Sequence, residues 1–525
     1  MNITVEQSAT KMPHPPSLFI LFFTEMWERF SYYGMRAILV LFLTSSLING
    51  GWGWERKEAL VTYAWYTGLV YLTPIFGGLI ADKLLGYRKA VIIGALLMTL
   101  GHASLALESP SFFYIGLGLL ILGNGLFKPN ISSMVGQLYT GDDPKRKDAA
   151  YTIFYMGINA GAFLGILLCG YIGEKVSWSY GFGLAGVFML FGLLQFAFAQ
   201  KIFGNIGITP KQRDRIDADA VNYAENPAFQ KPMEDEVPEQ PAHVTRDRLI
   251  VIGVFAFFTI FFWWAFEQAG GSMTIFAADY TSRLLDGGSA TAFKIANTLL
   301  TVVPMIILTF VLANLFRKTF SQYSLSNMFL GTGFLIVWGL IIWMLVREYN
   351  AEATEVPASW FGILNSFFII AFAPLFSKIW ESNLNPSGPV KFAIGLILLG
   401  LGFGILAYGG MNIPQGARTA SVSMIWLILA YLFHTLGELC ISPVGLSYVS
   451  KLAPVKMVGL MFGVWFIANF IANWSAGLTG SFIDDITNRY SISTFFLIFT
   501  FVPILAGFIM LALNRTLVKK MHGIR

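Results

Sequence analysis

Long apolar stretches dominate the chain and are broken by short polar segments. A run of about 20 apolar residues, rising 1.5 Å per residue, matches the ~30 Å hydrocarbon core of a bilayer. Each such stretch therefore predicts a membrane-spanning helix. Six are predicted near 17–45, 58–82, 90–108, 112–139, 149–173 and 179–203. A polar, proline-containing segment from Gly204 to Arg246 follows, too poor in apolar residues to fold alone, and reads as a linker. Eight more spans are predicted near 247–278, 290–316, 325–346, 359–380, 391–410, 421–452, 458–482 and 493–517. Barrel strands would show weaker, alternating segments of about ten residues, which this chain lacks. The fold class is an all-α polytopic membrane protein. The first run has no small-residue cleavage site and carries charges, so it reads as a span and not as a removed signal.

Basic residues gather at alternate span ends. Lys83, Arg88 and Lys89 end the second span, Lys145, Arg146 and Lys147 the fourth, Arg317 and Lys318 the eighth, and Lys451 and Lys456 the twelfth. Arg515, Lys519, Lys520 and Arg525 close the chain. All fall on one side if every span crosses once, which places both termini and the linker in the cytoplasm. Loops on the other side, such as Ile483-Asp484-Asp485 and Glu348 to Val356, are not basic.

Charges inside the spans change the picture most. On a 3.6-residue period, Glu25, Arg29, Tyr32, Tyr33 and Arg36 share one stripe of the first helix, with Glu28 at its edge. An isolated charge at the centre of a span costs roughly 2.5–3.5 kcal/mol by insertion scales. Such groups face a bundle interior or a wet cavity and pair with one another, which marks a functional site. Lys128 lies mid-span in Gly123-Asn124-Gly125-Leu126-Phe127-Lys128-Pro129-Asn130, too deep to reach an interface easily. Tyr155 and Asn159 share a face of the fifth span, and Glu267 lies in the seventh, beside Trp263. In the twelfth, His434, Glu438 and Ser442 follow at one-turn intervals, with His434 read as a packed or hydrogen-bonding residue.

Composition agrees: of 525 residues 55% are hydrophobic and 12% charged, about half the charge of a typical soluble domain. The net charge of +5 is accounted for by the helix ends and gives no reason to expect a nucleic-acid partner. Cys169 and Cys440 sit in apolar helices, have no metal-ligand spacing and read as inert buried thiols. No nucleophile–base pair, metal-ligand spacing or phosphate-cradling loop stands out, so a membrane enzyme ranks low.

Gly78 to Lys89 (Gly78-Leu79-Ile80-Ala81-Asp82-Lys83-Leu84-Leu85-Gly86-Tyr87-Arg88-Lys89) resembles the loop between helices two and three of the major facilitator superfamily. More specific are Glu25-x-x-Glu28-Arg29 with Phe30-x-Tyr32-Tyr33-Gly34, then Phe127-Lys128-Pro129-Asn130, then Phe154-Tyr155-Met156-Gly157-Ile158-Asn159. With Gly437-Glu438-Leu439-x-x-Ser442-Pro443 and Asn365-x-Phe367-Phe368 to Pro374, they resemble the proton-dependent oligopeptide transporter family. The resemblance implies two six-helix bundles around a midplane cavity, plus two extra helices, fourteen spans in all. It implies import of di- and tripeptides driven by a proton gradient, with protons the coupling ion and no other cofactor. By the same resemblance Glu438 and Asn159, with Asn365, hold the peptide ammonium, and Arg36 and Lys128 its carboxylate. Tyr32, Tyr33, Tyr71, Tyr155 and Ser442 line the site, while Trp263, Trp465 and Phe466 shape side-chain pockets. Two cross-cavity ion pairs, Arg36–Glu267 and Lys128–Glu438, would close the outer and inner mouths in turn. Glu25 and Glu28 beside Arg29 would form a second proton store.

The chain departs from the family in two ways. Mammalian members carry a second-helix histidine seven residues before the tyrosine aligned with Tyr71, where this chain has Ala64. Many bacterial members insert two extra helices in the linker, whereas here the extra spans near 290–316 and 325–346 fall between family helices seven and eight. The implied organisation is an N-terminal bundle (1–203), a cytoplasmic linker (204–246), the first helix of the C-terminal bundle (247–289), an inserted hairpin (290–347) and the rest of that bundle (348–525). The hairpin lacks a charged stripe, so a peripheral place without a transport role is expected. Expected partners are peptides, protons and membrane lipid, with the bacterial inner membrane as location. The alternatives are a relative carrying nitrate or a peptide-like drug, and a non-transporting peptide sensor. Oligomeric state is left open.

Overall fold

The computed structural model describes residues 14–139, 144–213, 241–454 and 457–524. The acidic part of the linker, Met233 to Glu239, lies outside the described residues. Fourteen long helices are described: α1 (Pro16–Thr44), α2 (Arg56–Ile80), α3 (Tyr87–Leu105), α4 (Pro110–Gln137), α5 (Pro144–Lys175), α6 (Trp178–Phe198), α7 (Ala242–Phe266), α8 (Gly287–Thr319), α9 (Ser324–Tyr349), α10 (Ile363–Glu381), α11 (Gly388–Gly409), α12 (Ile425–Leu452), α13 (Val458–Gly480) and α14 (Ile492–Lys520). All but α1 pass a simple test of length and apolarity for crossing a membrane. α1 carries four charges, Glu25, Glu28, Arg29 and Arg36. It is the most enclosed helix, with all four buried.

Helices α1–α6 form one bundle, and α7 with α10–α14 the other. In the first, Gly157, Gly161 and Gly165 recur every fourth residue along α5. A Cβ at Gly161 or Gly165 would sit 2.2 Å from the carbonyl of Met26 or 2.1 Å from that of Phe30. Only a glycine stripe lets two backbones approach so closely. After α2 the chain makes one π turn (Ala81–Leu85) and then bends at Gly86, whose φ of 72° suits glycine. Arg88 then donates to the carbonyls of Gly204 and Ile206, tying this loop to the segment after α6.

Two departures from the sequence reading concern α7. It begins at Ala242, inside the segment read as linker, because Asp247 in its first turns is bonded by Lys520 and His522 at the end of α14. It is also not one straight span. The α-helix ends at Phe266, passes through a 3-10 turn (Glu267–Gly270) and resumes as one short turn (Ser272–Ile275) and a π turn (Phe276–Tyr280). Side chains brace the break: Thr274 donates to the carbonyl of Ala269 within it, and Gln268 ties it to α13 by donating to the carbonyl of Ala476.

The hairpin α8–α9 follows α7 in the chain but packs on the first bundle. Phe329 stacks on Phe198 of α6, Ser326 donates to the carbonyl of Gln195, and Phe334 meets Trp27 of α1 edge-on. At one face of the molecule, four two-residue strands join the loops: β1 (Thr281–Ser282) pairs with β4 (Val422–Ser423), and β2 (Leu284–Leu285) with β3 (Thr354–Glu355). We call this the far face and the one holding both described chain ends the terminal face.

The two bundles close on each other at the far face and splay at the terminal face. Where α2 meets α13, a Cβ at Gly477 would lie 2.6 Å from the Cα of Ala64, and Gly68 faces Phe470 and Trp474. The same stripe of α13 runs on through Phe466 to Gly463 and Gly459, where an added Cβ would meet nothing within 4 Å.

Candidate functional site

The stripe on α1 is assembled by its own helical geometry. Arg29 sits one turn from Glu25 and beside Glu28, and its Nε pairs with both carboxylates, 3.0 Å from Glu25 Oε1. All three are at most 2% exposed. Its guanidinium also lies 5.4 Å above the Tyr32 ring, and Tyr32 meets Tyr33 edge-on. Two carboxylates around one arginine form a compact buried cluster in which the two acids raise one another's proton affinity and the arginine lowers it.

Farther along α1, Arg36 bridges the halves. Its Nη2 contacts Glu267 at the break in α7, and its Nε donates to the Tyr63 hydroxyl on α2 at 2.6 Å. Gly270 makes room for this: a Cβ there would lie 1.9 Å from the Tyr63 oxygen. A broken helix beside an ion pair is how membrane transporters bring backbone and charge to mid-bilayer sites.

The second expected pair is not made. Lys128 on α4 lies over the Tyr71 ring, its Nζ 4.5 Å from the centroid, and the charges acting on it are Arg29, Glu28 and Glu25. Glu438 on α12 accepts from Asn365 Nδ2 of α10 at 2.8 Å, and Asn365 also reaches Thr435 at 3.2 Å. Lys128 and Glu438 stay in their own halves because the bundles diverge toward the terminal face.

Other expected residues fall as follows. Tyr155 is exposed, while Asn159 is buried with its amide turned back to the Tyr155 carbonyl at 3.0 Å. Trp263 packs on Phe262 and Phe266, and Ser442 is half-buried one turn beyond Glu438. Trp465 fills the space over Gly445 of α12, where a Cβ would sit 2.5 Å from its ring, and Phe466 is half-buried beside it. His434 is a packed residue: its ring lies 4.3 Å from that of Phe403, and neither nitrogen has a hydrogen-bond partner among the described residues.

Comparison with known proteins decides the family. The POT family model matches residues 88–226 and 346–498. The transporter YclF of Bacillus subtilis is 35% identical, covering 97% of this chain and 96% of that protein. A di-/tripeptide transporter of Lactococcus lactis subsp. cremoris is 31% identical with 97% of each chain covered. The crystal structure of a peptide transporter POT in complex with sulfate superimposes with a TM-score of 0.73 at 30% identity, covering 99% of this chain and 100% of that one. The chain belongs to the POT family. It is a multi-pass integral membrane protein with that family's two-bundle fold and two further helices, α8 and α9.

Against the POT pattern, the Ala64 departure has a steric reason. Ala64 is 1% exposed and wedged against Gly477, which leaves no space for an imidazole. The sequence reading also missed the charges that bind the far face. Arg56 at the start of α2 donates to Asp279 (2.7 Å), Asp484 (2.7 Å), Tyr280 (3.2 Å) and the carbonyl of Arg418 (2.9 Å). Glu174 accepts from the backbone N–H groups of Ala358 and Ser359, and Glu355 pairs with Lys175 and Arg283. Burial alone would raise the Glu355 carboxyl, but the Lys175 hydrogen bond and the Arg283 charge outweigh it and hold it below the ordinary glutamate range. The available signal was acids in non-basic loops facing one basic pair, Arg56-Lys57, and the single Lys175.

Proposed function

We propose that this chain is a proton-coupled symporter importing di- and tripeptides by alternating access. One observation carries the reading: Arg36 is held by Glu267 across the halves, while Glu438 is bonded by Asn365 of its own half and not by Lys128. A short peptide is a zwitterion with its ends about 3.3–3.6 Å apart per residue, so its site needs cations at one end and a carboxylate at the other. Arg36 and Lys128 supply the first; Glu438, with Asn159 and Asn365, supplies the second. Tyr32, Tyr33, Tyr71 and Tyr155 stand between them.

A proton arriving at Glu267 neutralises the acid that ties down Arg36. The guanidinium then becomes available to the peptide carboxylate, and the far mouth loses a closing contact. Peptide-transporting relatives support this substrate class. Proton coupling needs no cofactor beyond the ion itself, and the chemistry is transport, not catalysis. The basic loop ends and bacterial relatives support an inner-membrane location with the terminal face cytoplasmic, so the splayed mouth opens inward. In proteoliposomes, Glu267→Gln should retain peptide counterflow and lose gradient-driven accumulation by at least about tenfold, the loss of one ion-paired carboxylate being worth more than one pH unit of coupling. Full concentrative uptake by that variant refutes the reading.

A further inference from the structure

Asn124 is a buried amide in the middle of an apolar helix, and the transport scheme above does not use it. It is 1% exposed, and its Nδ2 donates to Glu28 Oε1 at 3.2 Å. Its own Oδ1 has no hydrogen-bond partner among the described residues. A buried amide half-satisfied in this way is costly unless the site needs it.

Its place is fixed by its neighbours. Gly123 packs so closely on α3 that a Cβ would lie 2.6 Å from Met98 and 2.7 Å from the carbonyl of Gly94. Gly125 does the same on α2, 2.7 Å from Thr73. With α4 pinned on both flanks, the side chain between them is aimed at α1. Lys128, one turn on, shares that face. The charged and titratable groups around Glu28 are then Glu25 and Arg29 on α1, Lys128 on α4 and Tyr66 on α2. Arg29 and Lys128 are donors only. They serve an ionised Glu28 but offer no acceptor to the O–H of a protonated one.

An amide offers both. Toward the carboxylate, Asn124 presents Nδ2–H, as observed. Toward the carboxylic acid, a half-turn of the amide presents the unused Oδ1 to the new O–H. We propose that Asn124 is a positioning residue for the coupling carboxylate, giving Glu28 a partner in both protonation states and setting the pH at which it takes up its proton. The inference rests on the reading that the Glu25–Glu28–Arg29 cluster stores a coupling proton.

The test is a pH titration by infrared difference spectroscopy of the full-length protein in liposomes. The protonated-carboxyl band of Glu28 is identified as the one lost in Glu28→Gln. The bond lost in Asn124→Leu is the charge-assisted one, so the band should titrate about one pH unit higher, and its frequency should rise as the acid O–H loses its acceptor. Asn124→Ser, whose hydroxyl keeps a shorter donor and acceptor, should shift less in the same direction, and it decides the matter if the leucine variant does not fold. Gradient-driven dipeptide uptake should move its pH midpoint with the band. An unchanged midpoint and frequency in both variants overturns the role of Asn124. A wild-type protein with no band that Glu28→Gln removes sinks the proton-store reading itself.

Discussion

Arg36 is a buried cation of the first bundle and Lys128 a half-buried one, and each has a buried acid as its expected partner in the second. Only Arg36 reaches its acid. Glu267 comes to it because the break at Gly270-Gly271 and the tight α2–α13 seam bring the halves together at the far face. Lys128 rests on Tyr71 and Glu438 on Asn365, because the same two helices have separated one to two turns away. In this conformation the far-face pair is made and the Lys128–Glu438 pair is not.

The comparison breaks most visibly at Arg36. Arg36→Ala leaves Glu267 buried and uncompensated, a loss of about 3–5 kcal/mol for such a pair. Thermal unfolding in detergent should drop clearly, and far less for Lys128→Ala, which severs no cross-half bond in this conformation. Lys128→Ala should still abolish driven uptake; an unchanged response to the proton gradient removes Lys128 from the coupling set.

Next in size is Arg56→Ala, which removes four bonds joining α2 to three segments of the other half. A net loss of about 1–3 kcal/mol should raise the labelling rate of a cysteine lining the far mouth roughly 5- to 150-fold. No change in labelling makes Arg56 a surface ornament and leaves closure to Arg36 and Glu267.

Much of this contrast was legible in the chain. All fourteen spans follow from hydropathy. The stripe from Glu25 to Arg36 follows from helical period alone, and the Arg36–Glu267 partnership from the family resemblance. The break in α7 did not show, because Gly270-Gly271 in an apolar run also reads as helix packing. Arg56 and Asp484 are 428 residues apart, so no local pattern could join them. The gap between Lys128 and Glu438 is a property of one conformation, and a sequence encodes the pair without saying when it is made. Asn124 was visible within its motif, but its use depends on Glu28 lying across from it.

The smallest effect is expected at Glu355. Its carboxyl titrates below the ordinary glutamate range, so its contribution is present above that range and is lost only as pH falls through its lowered value. Acidification that drives uptake should leave this latch ionised. Glu355→Gln should thus alter far-face labelling only slightly and leave the pH midpoint of transport where it is. A displaced midpoint would make Glu355 part of the proton pathway.

The most direct test uses spin labels in two pairs: exposed Glu58 and Thr419 across the far face, and exposed Lys83 and Leu460 across the terminal face. Distances by pulsed electron resonance are compared between wild type at neutral pH and Glu267→Gln. The account predicts that Glu267→Gln lengthens the far-face distance and shortens the terminal-face distance together. Identical distance distributions in the two proteins, at both faces, would contradict it.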